Sequence, residues 1–136
     1  TKKQSVDLIL KATEYAKGGE TFVLKMPLIL LNDLFDVMKT IIAPKYNLNP
    51  NTIKTKIIGI RPGEKIHEEL ITASESVNTL DLGKYYVILP TTKEISLEEY
   101  KRRMNGKTLI KNFSYNSGTN SHFLSVSELK KLLKKM

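Results

Sequence analysis

Ile53-Lys-Thr-Lys-Ile-Ile-Gly-Ile-Arg-Pro-Gly-Glu-Lys-Ile-His-Glu-Glu-Leu-Ile71 is the stretch on which the fold turns. Ile53, Thr55 and Ile57 alternate with lysines, the period-two pattern of a half-buried strand continuing to Ile60. Arg61-Pro62-Gly63 then predicts a tight turn, because proline presets its backbone angle and glycine supplies the angle that other residues avoid. From Glu64 to Ile71 the apolar residues Ile66 and Leu70 fall at helical spacing. A strand that empties into a stiff corner aims its last residue, Arg61, from a rigid edge. A guanidinium is a planar fork of donors suited to phosphate oxygens. Glu64, at the start of the expected helix, could accept from ribose hydroxyls or satisfy the free N–H groups of that helix. Arg-Pro-Gly is also a common surface turn, so these residues alone leave both readings open.

Upstream, Thr1-Lys-Lys-Gln4 has capping-box spacing, and Val6, Ile9, Leu10 and Thr13 follow on one helical face until Gly18-Gly19. A chain opening on a helix cap reads as cut at an element boundary, with residues expected before it. Thr21 to Lys25 predicts a strand, and Leu28 to Leu31 either a second short strand or an approach to the next helix. Leu34, Val37, Met38, Ile41 and Ile42 mark the clearest amphipathic helix, with Asn32 as its expected cap and Pro44 near its end. Downstream, residues 73–84 read as loop with an extended piece from Val77 to Leu80, and Tyr85 to Leu89 as a strand stopped by Pro90. Ser96-Leu-Glu-Glu99 and Ser125-Val-Ser-Glu128 are further capping boxes. Phe113 to Asn120 predicts an ordered polar loop, and Leu129, Leu132, Leu133 and Met136 the stripe of a last helix. Helices alternating with several short strands give an α/β class, α+β-like, with a small mixed sheet.

The chain has 136 residues, 40% hydrophobic and 26% charged, enough for one domain with a real core. It has no cysteine and only two histidines, His67 and His122, which argues against thiolate or histidine metal sites. Its net charge of +8 favours anionic partners. Much of that excess lies in Lys130, Lys131, Lys134 and Lys135, where a solvated helix end is the simpler account. Aromatic interleaving is weak, so nucleic acid is disfavoured. No apolar run is long enough to span a bilayer and no leader pattern opens the sequence, so a cytoplasmic, membrane-free protein is expected.

Other polar candidates are less specific. His67 follows Glu64 by three residues and could face the same site, or simply lie on the surface. Lys25 closes a strand and could point into a cleft or into water. Asn116 sits in Tyr115-Asn-Ser-Gly-Thr-Asn120, which could close over a sugar or satisfy its own turn. No G-x-G-x-x-G turn or Walker loop is present, and none of the six tyrosines has a lysine four positions on.

Ile58-Gly-Ile-Arg-Pro-Gly-Glu-Lys-Ile-His-Glu-Glu-Leu-Ile71 closely resembles the signature of CapD-type polysaccharide biosynthesis proteins, extended short-chain dehydrogenase/reductase enzymes acting on UDP-N-acetylglucosamine and related nucleotide sugars. Gly18-Gly-Glu-Thr-Phe-Val-Leu-Lys-Met-Pro27 and Tyr85-Tyr-Val-Ile-Leu-Pro90 look like the family's strands. Tyr115 to Asn120, followed by Leu124-Ser-Val-Ser-Glu-Leu129, resembles the tail of the 4,6-dehydratase/5-epimerase branch.

The resemblance implies that residues 1–136 form a single C-terminal substrate-binding domain, without the N-terminal Rossmann half. It implies a UDP-sugar ligand, with Arg61 on the diphosphate, Glu64 at the nucleoside, and Lys25, His67 and Asn116 as further binding candidates. The resemblance implies no catalytic residue and no cofactor site in this chain. NAD or NADP and the Tyr-x-x-x-Lys pair belong to the full-length capsule or polysaccharide enzyme, so the chain alone is expected to be inactive. Family members form homo-oligomers, and the same is expected here. The alternatives are a basic module binding nucleic acid and an oligomerisation domain.

Overall fold

The computed structural model describes residues 2–92, 96–109 and 112–134. Its elements, in chain order, are α1 (Lys2–Tyr15), β1 (Thr21–Leu24), α2 (Leu31–Ile41), β2 (Glu69–Ile71), α3 (Ala73–Ser76), β3 (Thr79–Asp81), β4 (Tyr85–Ile88), α4 (Leu97–Met104), β5 (Lys107–Thr108), β6 (Tyr115–Asn116) and α5 (Val126–Lys134). Two 3₁₀ turns, Ala43–Tyr46 and Pro50–Thr52, follow α2. The α/β class with a small sheet is the one expected, but the strand pairs among the described residues are antiparallel, so the sheet is not mixed. Contacts divide the chain into two compact units, each built from two separated stretches: Thr1–Met26 with Glu69–Thr119, and Pro27–Glu68 with Asn120–Met136.

The first unit is organised by an antiparallel sheet in the order β1-β4-β3-β5. Pairing sets Phe22 opposite Val87, Val87 opposite Leu80, and Val23 opposite Tyr86. Because side chains alternate across a sheet, Phe22, Val87 and Leu80 share one face. There Leu80, Val87 and Leu89 pack with Tyr100 and Met104 of α4. Val23 and Tyr86 point the other way, to a cluster with Ile71 and Tyr115, residues of the separate β2–β6 pair. Tyr86 meets the Tyr115 ring edge-on at 5.2 Å. The Tyr115 hydroxyl accepts from Met26 N at 2.8 Å and donates to Met26 O at 3.1 Å, locking the exit of β1.

In the second unit α2 packs against α5, with Val37 and Leu129 fully buried. An isolated parallel bridge joins Leu28 to Phe123. The amphipathic pattern of α2 holds, but its cap does not. The N-cap position is Leu30, without a side-chain hydrogen bond, and Asn32 lies inside the helix.

Three other expectations are corrected. Residues 53–60 form no strand and are exposed throughout; alternation marks a face, but an extended segment needs a neighbouring strand to take its backbone hydrogen bonds. The helix expected from Glu64 to Ile71 is absent, and Glu69–Ile71 instead pairs with Tyr115–Asn116, burying Ile71. Two apolar residues at helical spacing could not outweigh that burial. The loop expected over residues 73–84 contains α3, capped by a complete box of Thr72 and Glu75. The Ser96 and Ser125 hydroxyls cap as expected. Thr1 of the first box, and Lys135 and Met136 of the last helix, lie outside the described residues.

Candidate functional site

The Arg61–Glu64 corner is built by its own sequence. Glu64 N donates to Arg61 O at 3.0 Å, closing a four-residue turn. Pro62 occupies its second position and Gly63 its third, with φ at +86°. These are the requirements of a type II turn. A side chain at Gly63 would meet nothing within 4 Å, so backbone angle alone calls for glycine there. The Glu64 carboxylate turns back across the corner. Its Oε2 accepts from Arg61 N and its Oε1 from Arg61 Nε, both at 2.9 Å. The two side chains stay open to water, 72% and 46% exposed. His67 is exposed in the same segment. The corner can therefore offer a solvent-facing guanidinium, fixed at one edge by a carboxylate, to an anionic ligand.

Lys25 and Asn116 belong to the first unit. The Lys25 ammonium binds Asp81 Oδ1 at 2.6 Å and lies 4.3 Å from the centroid of the Tyr86 ring. Burial pushes the Tyr86 hydroxyl above its ordinary pKa, while Lys25 pulls the other way. Asp81 also accepts from Gly83 N, so this lysine joins a fixed knot at the end of β1 and β3. Asn116 organises its own turn: Oδ1 accepts from Gly118 N and Thr119 N, both at 2.9 Å, and Nδ2 donates to Ser114 Oγ at 2.8 Å. Of the five sequence-derived residues, the structure thus joins Arg61 directly to Glu64, ties Lys25 to the sequence-distant Asp81 and engages Asn116 in bonds within its own turn.

Sequence reasoning missed a groove in the second unit. It has a volume of about 470 Å³ and is lined by Phe35, Met38, Ile42, Ile53, Lys54 and Lys56 among others. Its signal in the sequence is the helical spacing of Met38 and Ile42, which marks an apolar face without saying what covers it. Among the described residues no group of three or more His, Asp or Glu side chains could hold a metal. No described helix is long and apolar enough to cross a membrane.

A family model described as "Polysaccharide biosynthesis protein" matches residues 1–90. A protein of Methanocaldococcus jannaschii, named an uncharacterized membrane protein, is 40% identical over 98% of this chain and 36% of its own length. An inverting UDP-N-acetylglucosamine 4,6-dehydratase of Campylobacter jejuni is 31% identical over 96% of this chain and 37% of its own length. Among solved structures, Pen from Bacillus thuringiensis matches with a TM-score of 0.75 and 35% identity, over 98% of this chain and 36% of that one. The chain therefore spans little more than a third of the length of these relatives.

Proposed function

The chain belongs to the polysaccharide biosynthesis protein family, and from that premise we propose that it is the nucleotide-sugar-holding part of a 4,6-dehydratase or epimerase. Arg61 holds the diphosphate of a UDP-sugar and Glu64 reaches the nucleoside. The observation that carries this reading is the turn at residues 61–64, which holds a water-exposed guanidinium on a stiff corner. Such a fork suits two phosphate oxygens at once. His67 shares the segment and is a secondary contact. Lys25 and Asn116 belong to the other unit, where Asp81 and the turn at residues 116–119 engage them, so the reading rests on the corner alone. The enzyme acts in the cytoplasm as a homo-oligomer. The exposed apolar residues Val6, Ile9 and Leu10 of α1 are a face for that assembly or for the remainder of the protein.

The residues present do not fit a nicotinamide dinucleotide. Such a cofactor needs a glycine turn leading from a strand into a helix. Here Gly18-Gly19 leads from α1 into β1, the reverse order. No Tyr-x-x-x-Lys pair exists in the sequence. We therefore assign hydride transfer and proton abstraction to the part of the enzyme beyond this chain, and the isolated chain turns over no nucleotide sugar.

The test is titration of the chain with UDP-N-acetylglucosamine, followed by backbone amide NMR. Shifts are expected at residues 58–67, with affinity falling about tenfold or more in Arg61→Ala, the consequence of losing charge-assisted bonds. Modest salt dependence is expected, whereas a nucleic-acid site would weaken steeply with salt. Equal binding by wild type and Arg61→Ala would remove the assignment.

A further inference from the structure

We propose that Glu64 is a positioning residue for Arg61, clamping one edge of the guanidinium so that the other is presented to phosphate. The inference rests on the reading of Arg61 as the diphosphate ligand. It adds to the nucleoside contact already given to Glu64.

The geometry is that of a closed clamp. Glu64 N donates to Arg61 O, and the Glu64 carboxylate takes both the backbone N–H and the Nε–H of Arg61. Main chain and side chain of Arg61 are thus engaged by one residue, through a turn in which Pro62 fixes one φ and Gly63 permits the positive one. Of the guanidinium, the carboxylate engages Nε at 2.9 Å. The Nη1/Nη2 edge is the one left for end-on, two-point contact with an incoming phosphate. An exposed pair of this kind contributes little to folding stability, so its worth is sought elsewhere. An unclamped arginine must give up rotamer freedom when it binds, and a clamped one has given up much of it already. The opposing effect is repulsion between the Glu64 carboxylate and the phosphate. It is blunted because the carboxylate is already paired with the guanidinium and both side chains stay in water, 46% and 72% exposed, where charges interact weakly. Pre-organisation is therefore taken to prevail.

Inorganic pyrophosphate separates the roles, since it carries the phosphates but no ribose. The full 136-residue chain and its Glu64→Ala, Glu64→Gln and Arg61→Ala variants are titrated with it. Residues 51–70 are exposed, so none of these changes opens the core. Glu64→Ala is expected to weaken pyrophosphate binding roughly threefold to tenfold, the cost of immobilising one long side chain. Glu64→Gln, which keeps an acceptor for Nε, should fall between. Unchanged affinity in Glu64→Ala would reduce the residue to a ribose contact, and tighter binding in either variant would make it a competitor; both overturn the clamp. A second measurement needs no ligand: the Arg61 Nε–Hε group should be ordered in wild type by ¹⁵N relaxation and disordered in Glu64→Ala. Equal order in the two proteins also overturns it. Pyrophosphate binding that ignores Arg61→Ala, or its absence in wild type, instead defeats the underlying function.

Discussion

Tyr100 is buried, and its hydroxyl donates to Glu20 Oε1 at 2.6 Å. Burial first, and then the neighbouring carboxylate, push its pKa up to about 12 from 10.0. Glu20 responds in the opposite sense. Burial raises its carboxyl, but bonds from Tyr100 and from the N–H groups of Lys17 and Gly18 outweigh that and leave it below the ordinary value. The linkage follows in sign. Between pH 10 and about 12 the unfolded tyrosine loses its proton while the folded one keeps it, so stability falls as pH rises through that window. Glu20 contributes stability that is present above the ordinary carboxyl range and is lost as pH falls through its lowered value. Tyr100→Phe should cost about 1–2 kcal/mol at neutral pH. It should also make the alkaline loss shallower and return Glu20 toward its ordinary range. Urea unfolding at pH 7 and at alkaline pH checks this, and an unaltered alkaline slope would count against it. At this scale the Arg61–Glu64 corner was legible, because Arg-Pro-Gly-Glu contains the turn and both partners. The bonds of Lys25 to Asp81, and of Glu20 to Tyr100, span 56 and 80 positions, and no local pattern announces them.

Among the elements, those whose start signals and partners are local were readable. α4 and α5 begin at serine caps with an acidic residue three positions on. The same signature, Thr72-Ala-Ser-Glu75, opens α3 at the edge of a stretch whose composition is that of a loop. There Glu75 N donates to Thr72 Oγ1 at 3.3 Å and Thr72 N to Glu75 Oε2 at 2.9 Å. The short helix then leads to buried Thr79, whose hydroxyl donates to Glu75 O. Thr72→Ala should therefore destabilise the protein by about 1 kcal/mol, with Thr72→Ser restoring most of it. Equal melting temperatures for Thr72→Ala and wild type would show that the cap is idle. Strands were harder, since alternation marks a face of one segment while a strand also needs a neighbour for its backbone hydrogen bonds. Residues 53–60 alternate without a partner, whereas Glu69–Ile71 scarcely alternates and yet pairs. Leu80 shows what pairing secures: it is fully buried on β3 against Val87 and α4. Leu80→Ala should cost about 2–5 kcal/mol in urea unfolding, and a cost below 1 would mean that the sheet face repacks freely.

For the molecule as a whole, composition and element order gave the α/β class, but not which stretches assemble. Helical periodicity identified the apolar face of α1, yet Val6, Ile9 and Leu10 are 53%, 64% and 63% exposed. Periodicity names a face without saying what covers it. Neither unit is a continuous piece of chain: β1 pairs with β4 across the intervening α2, and α2 packs on α5 near the other terminus. This interleaving has a consequence for proteolysis. Residues 53–68 lie open between α2 and β2, without regular structure, where a protease finds its easiest substrate. A single cut there by trypsin, at Lys54, Lys56 or Lys65, severs the polypeptide without liberating either unit, because each fragment carries half of both. The nicked protein should run as two bands on a denaturing gel and elute as one species from a sizing column, held by a β-ladder and a helix pair that the blade never touched.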